Sequence, residues 1–101
     1  MSARPLRESY TIFYVHVSPV PPSLTDSEIE KLFSTFGKID HLDVRRIYIK
    51  EKISDGHCFI VFRSFQEART AAILGTILGD YYFNVDLVTP TLRHFRYKLY
   101  H

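Results

Sequence analysis

Apolar and polar positions alternate with a period of two in four stretches of this chain and recur every three to four residues in two others. Tyr10 to Val17 is β-branched and aromatic throughout and runs into the Pro-rich segment Ser18 to Pro22, which predicts a strand. Its preferred register points Phe13, Val15 and Val17 inward and Tyr14 and His16 outward, because the opposite one would bury two rings with polar atoms. Thr25-Asp26-Ser27-Glu28 is a capping box, in which the Thr hydroxyl and Glu carboxylate satisfy free backbone N–H groups of a new helix. Ile29, Leu32, Phe33 and Phe36 follow at helical spacing, with Gly37 at the position of a C-cap. Ile39 to Ile49 predicts a second strand with Leu42 and Val44 inward, and the polar run Lys50 to Gly56 a hairpin loop.

Past that loop, His57, Phe59 and Val61 share one face of a third strand, and Cys58, Ile60 and Phe62 share the other. Ser64-Phe65-Gln66-Glu67 is a second capping box, opening a helix with Ala68, Ala71, Ala72 and Leu74 on its inner stripe. Tyr82 to Val88 returns to alternation with Phe83, Val85 and Leu87 on one side, and Pro90 closes it. The order β-α-β-β-α-β predicts an α+β, ferredoxin-like domain: a four-stranded antiparallel sheet with two helices on one face. The expected layout is an N-terminal arm over residues 1–9, the domain over 10–90, and a basic, aromatic tail or short helix over 91–101.

Composition narrows the function classes. With 101 residues, 46% apolar and 24% charged, the chain fits one small globular module and leaves little room for a deep enzyme pocket. No apolar run approaches membrane-spanning length and residues 1–8 lack the apolar core of a secretory signal, so an intracellular protein, nuclear or cytoplasmic, is expected. The lone Cys58 fits a reducing compartment and reads as a small buried hydrophobe. The five histidines, at 16, 41, 57, 94 and 101, show no metal-ligand spacing, and no cofactor is expected. The net charge of +2 is uneven. Residues 1–90 hold ten Lys/Arg against eleven Asp/Glu, whereas residues 91–101 hold Arg93, Arg96 and Lys98 with no acid.

The candidate chemistry lies on the outward face of the first and third strands. Tyr14 and Phe59, with His16 and His57 at their margins, would form a platform for unpaired bases, although aromatic cross-strand pairs also stabilise sheets by themselves. Arg45, Arg46, Lys50 and Lys52 are either phosphate contacts or a solvated face. The tail either lays a helix with Leu92, Phe95 and Leu99 over the open sheet or acts as a flexible basic arm in which Arg93 and Arg96 meet phosphates.

These segments resemble the RNA recognition motif family over residues 10 to 90. The family's eight-residue motif, Lys/Arg-Gly-Phe/Tyr-Gly/Ala-Phe-Val-x-Phe, aligns with Asp55-Gly56-His57-Cys58-Phe59-Ile60-Val61-Phe62, where Gly56, Phe59 and Phe62 match. Phe13 to Ser18 is similar to its six-residue motif without the usual Asn. Leu32 to Ile39 and Phe62 to Ala68 resemble the end of its first helix and the entry to its second. Asp55 stands where a phosphate-binding Lys/Arg is usual, and His57 where a stacking ring is usual. The resemblance implies a non-enzymatic, monomeric module that binds single-stranded RNA in mRNA processing, splicing or post-transcriptional control. The alternative is a protein-interaction module on the same fold within a ribonucleoprotein complex. Acylphosphatase chemistry, hosted by the same fold, lacks its phosphate cradle: the first loop here is Ser18-Pro19-Val20-Pro21-Pro22-Ser23.

Overall fold

The computed structural model describes residues 13–88, and its architecture follows from where the apolar residues of two central strands go. Strand β1 (Tyr14–Val20) buries Val15, Val17 and Val20, and strand β3 (Lys52–Phe62) buries Cys58, Ile60 and Phe62 on the same side. They pair antiparallel with Val15 opposite Ile60 and Val17 opposite Cys58. Strand β2 (Ile39–Ile49) flanks β3, and β6 (Asn84–Val88) flanks β1, so the sheet order is β2-β3-β1-β6 with every pairing antiparallel.

Helices α1 (Asp26–Phe33) and α2 (Phe65–Leu74) supply the second layer. Ile29 and Phe33 from α1 and Ala68 and Ala71 from α2 meet the inner sheet face, and Leu24, Phe83 and Val85 complete the core. Burying a side chain such as Phe33 or Ile60 contributes about 1.5–3 kcal/mol, so this layer contact is the main source of stability. The small alanines of α2 let its backbone approach the sheet closely. The expected ferredoxin-like α+β fold is the one observed.

Thr25 forms the full capping box: its hydroxyl accepts from the Glu28 N–H at 3.1 Å, and the Glu28 carboxylate accepts from the Thr25 N–H at 2.8 Å. That backbone hydrogen bond, reinforced by the Thr25 hydroxyl, holds the Glu28 carboxyl below the usual carboxylate range. The expected box at Ser64 is only half made. Its hydroxyl accepts from the Glu67 N–H, but the Glu67 side chain packs into the space beside Gly37. Gly37 caps a short 3-10 turn, Ser34–Phe36, that follows α1. Leu74, expected on the inner stripe of α2, is 58% exposed, since at 100° per residue it falls outside the arc that Ala68, Ala71 and Ala72 turn to the core.

Three boundaries differ from the sequence expectation. Strand β1 continues through Pro19 to Val20, where a loop was expected over residues 18–24. Between Val17 and Val20 it carries one more residue than β3, and such a bulge tolerates a residue without an N–H. The expected loop Lys50 to Gly56 is a two-residue turn: Lys50 and Glu51 have φ of 52° and 67°, as in a type I′ hairpin, and β3 begins at once with Lys52 opposite Ile49. Neither residue is the Gly or Asn that marks such a turn. The last strand starts at Asn84, because Tyr82 belongs to a separate small hairpin, β4 (Ile77–Leu78) with β5 (Tyr81–Tyr82), turned by Gly79 at φ 63°. Residues 10–12 of the expected first strand and the whole tail from residue 91 lie outside the described residues.

Gly56 lies where β3 carries an extra residue against β2, between the pairs Arg45–His57 and Ile47–Ser54. A Cβ on Gly56 would sit 2.2 Å from the Arg45 carbonyl oxygen, a backbone atom that cannot swing aside. Gly56→Ala is therefore expected to destabilise the fold by about 2–3 kcal/mol, read as a lower urea midpoint with unchanged slope. Cys58 is fully buried, and burial pushes its thiol up to about 12. Native protein at about pH 8 should resist iodoacetamide under conditions that alkylate the urea-unfolded chain completely, with mass spectrometry as the readout.

Candidate nucleic-acid interface

Because β1 and β3 bury alternate residues, the remaining residues stand on the sheet face that neither helix covers. Register arranges them in rows across the strands. Asp43, Phe59, His16 and Asp86 form the central row, from β2 to β6. His41, Val61, Tyr14 and Val88 form the row beside it, and Arg45 pairs with His57 on the other side.

The four rings proposed from the alternation come together. Tyr14 and Phe59 meet edge to face with centroids 5.9 Å apart, and His16 lies 4.9 Å from Phe59. His57 lies 5.5 Å from Phe59 and 5.0 Å from His16. The two imidazoles are joined directly: His16 Nε2 and His57 Nδ1 are 2.9 Å apart, so one ring donates its N–H to the other's lone pair. All four residues are half-buried. A shallow depression of about 320 Å³ adjoins them, lined by Tyr14, His41, Asp43, Arg45, Phe59 and Val61. An array of aromatic rings on a sheet face that neither helix covers offers stacking surface to planar, unpaired rings.

The basic candidates separate. Arg45 stands on this face, but its guanidinium forms a fork with the Asp43 carboxylate, at 3.0 Å from Nε and 2.8 Å from Nη2 to Oδ2. That hydrogen bond holds the Asp43 carboxyl below the usual carboxylate range. Arg46 points the opposite way. It donates to the carbonyls of Leu24 at 2.7 Å and Pro21 at 3.3 Å and to Asp26 Oδ1 at 2.7 Å, tying the end of β2 to the entry of α1. It is removed from any phosphate role on the open face, because its alternation parity is that of Val44, which packs half-buried against the core. Lys50 and Lys52 sit at the tip of the β2–β3 hairpin, with Lys52 on the open side opposite Ile49. Arg93 and Arg96 lie outside the described residues.

Sequence reasoning missed His41, Asp43 and Asp86, and also Ile47 and Ile49, which carry the open face out along the hairpin. The signal was present: once Leu42 and Val44 point inward, positions 41, 43, 45, 47 and 49 of β2 point outward. Among the described residues no group of three or more His, Cys, Asp or Glu side chains is placed to hold a metal ion, and no helix is long and apolar enough to cross a membrane.

Comparison with known proteins agrees with this geometry. The chain is similar to an Sxl-lethal protein/RNA complex, at 26% identity and a TM-score of 0.62 over 77% of this chain and 47% of that one, so it spans about half of that protein. It shares its fold with the N-terminal RNA binding domain of a hypothetical protein, at 20% identity and a TM-score of 0.60 over 79% of this chain and 80% of that one. It shares it also with the RNA15 RRM, at 22% identity and a TM-score of 0.55 over 79% of this chain and 91% of that one. No curated protein sequence is a significant match. The family model for the RNA recognition motif matches residues 15–78, and the chain belongs to that family.

Proposed function

We propose that the open sheet face binds single-stranded RNA, with Tyr14 and Phe59 as the stacking platform and His16 and His57 beside it. The observation that carries this reading is the four-ring cluster in the middle of the sheet face that neither helix covers. A ring left on the outer face gains less from folding than one in the core, and unpaired bases are the ligands for which such rings are suited. Lys50 and Lys52 on the projecting hairpin, with Arg93 and Arg96 of the tail, are the phosphate contacts of this proposal, and Arg45 joins them where RNA displaces Asp43. The module then works without metal or cofactor, as a monomer inside the cell, in nuclear or cytoplasmic handling of mRNA such as splicing, processing or translational control.

A second reading, protein binding within a ribonucleoprotein complex, is favoured by the acids on and beside the rings. Asp86 and Asp55 repel a phosphate backbone, and Asp43 offsets the charge of Arg45. Salt separates the two readings. RNA affinity should fall steeply as ionic strength rises, whereas an apolar protein contact should be nearly indifferent to it.

The direct test is Phe59→Ala against short single-stranded RNAs, with fluorescence anisotropy for affinity and amide spectra as the check on folding. Stacking contributes about 1–3 kcal/mol per base, so affinity should fall about tenfold or more while the core resonances stay in place. Unchanged affinity in the folded variant overturns the platform.

A further inference from the structure

Of the described cations on strands β2 and β3, none stands free in the rows of the rings. Asp55 occupies the family's usual basic position, Arg45 is held by Asp43, and Arg46 is turned to Asp26 on the helical side. Lys52 stands out along the hairpin, opposite Ile49, which is four residues along β2 from Arg45, the partner of His57. What the centre of the face does hold is two imidazoles, joined at 2.9 Å between His16 Nε2 and His57 Nδ1.

We propose that this imidazole pair is the anion site of the RNA surface: it takes up one proton as a phosphate docks, so that RNA affinity rises as pH falls through the histidine range. The inference rests on the RNA-binding reading and adds the chemistry of its phosphate contact. A neutral pair uses one N–H and one lone pair between the rings, leaving one N–H and one lone pair on the outer edges. A single added proton leaves the inner hydrogen bond intact, makes it charge-assisted and turns the remaining outer nitrogen into a donor. The protonated pair then carries one positive charge and an N–H on each outer edge. A second proton would set two N–H groups against each other and break the bond, so the pair is built to hold one.

Charged groups face the pair from both flanking strands. Asp86 on β6 stands directly opposite His16. Asp43 on β2 stands opposite Phe59 and is engaged by Arg45, which itself stands opposite His57. His41 on β2 and Tyr14 on β1 lie one row away, and Asp55 flanks the bulge of β3. Imidazole is the side chain whose ordinary titration lies nearest neutrality, so a docked phosphate draws a proton onto this pair at a cost within reach of physiological pH.

Oligouridylate is the suitable probe, because its bases do not titrate in this range. Wild-type protein should bind it more tightly at about pH 5.5 than at about pH 7.5, by up to about tenfold per pH unit, the limit for linkage to one proton. The slope of log affinity against log salt should steepen by about 0.7, one extra phosphate contact on a single strand. Calorimetry in buffers of different ionisation enthalpy should show uptake of up to about one proton on binding. The double variant His16→Gln, His57→Gln should lose this pH dependence, whereas His41→Gln, which leaves the pair in place, should keep it. Measurable but pH-independent binding without proton uptake overturns the anion site and leaves the RNA platform standing, as does pH dependence that survives in the double variant. Absence of binding at either pH overturns the RNA reading and the anion site with it. Should the double variant fail to fold, proton uptake by the wild-type protein decides alone.

Discussion

Everything on the functional face depends on the burial of one side of the β1–β3 pair. Val15 opposite Ile60 and Val17 opposite Cys58 sit at the centre of the core beneath two helices, and their exclusion from water fixes the parity of both strands. A slip of one residue would exchange Val15 and Val17 for Tyr14 and His16, with the cost of burying polar ring atoms and exposing the apolar set. The rings on the open face are therefore held in place by residues that point to the opposite face. The bulge at Gly56 works within the same constraint. It absorbs an extra residue in β3, so that the projecting hairpin and the central pair each keep their own face.

The electrostatics of the face come from pairings that subtract charge. Two arginines on neighbouring positions of β2 would by composition make this strand basic. Alternation sends Arg46 to the helical side, where it fastens the chain entering α1, and leaves Arg45 beside an acid on its own strand face. The centre of the face thus holds aromatic surface rather than a free arginine, and its imidazole pair lies between Asp43 and Arg45 on one flanking strand and Asp86 on the other. That division of labour differs from a surface on which a permanent cation stands next to the stacking rings.

Much of this was legible in the sequence, and for identifiable reasons. Period-two alternation gave the inward and outward sets of β1 and β3, since only one register buries apolar side chains on both strands. Thr25 and Ser64 announced the two helix starts through local hydrogen bonding. Features that depend on distant partners were not legible. The turn at Lys50-Glu51 adopts positive φ without a glycine because the flanking strand pairing imposes it. Pro19 enters a strand because a bulge supplies a position needing no N–H, and Glu67 abandons its capping role for the space that Gly37 leaves open. The direction of Arg46 and the contact between His16 and His57 need the register and the helix placement before they can be drawn.

The projecting hairpin has a consequence for the protein's behaviour at high concentration. Strand β2 is an edge of the sheet, and near the hairpin tip it exposes Ile47 and Ile49 on one side and Tyr48 on the other, with Ile53 beside Tyr48. An edge of this kind, apolar and with unpaired backbone groups, is a template for the same strand of another molecule. Lys50 and Lys52 stand at its end as like charges that two such edges would bring together, a gatekeeping arrangement against strand-to-strand aggregation. Charge at the tip thus opposes edge-to-edge pairing by a route that is independent of any ligand.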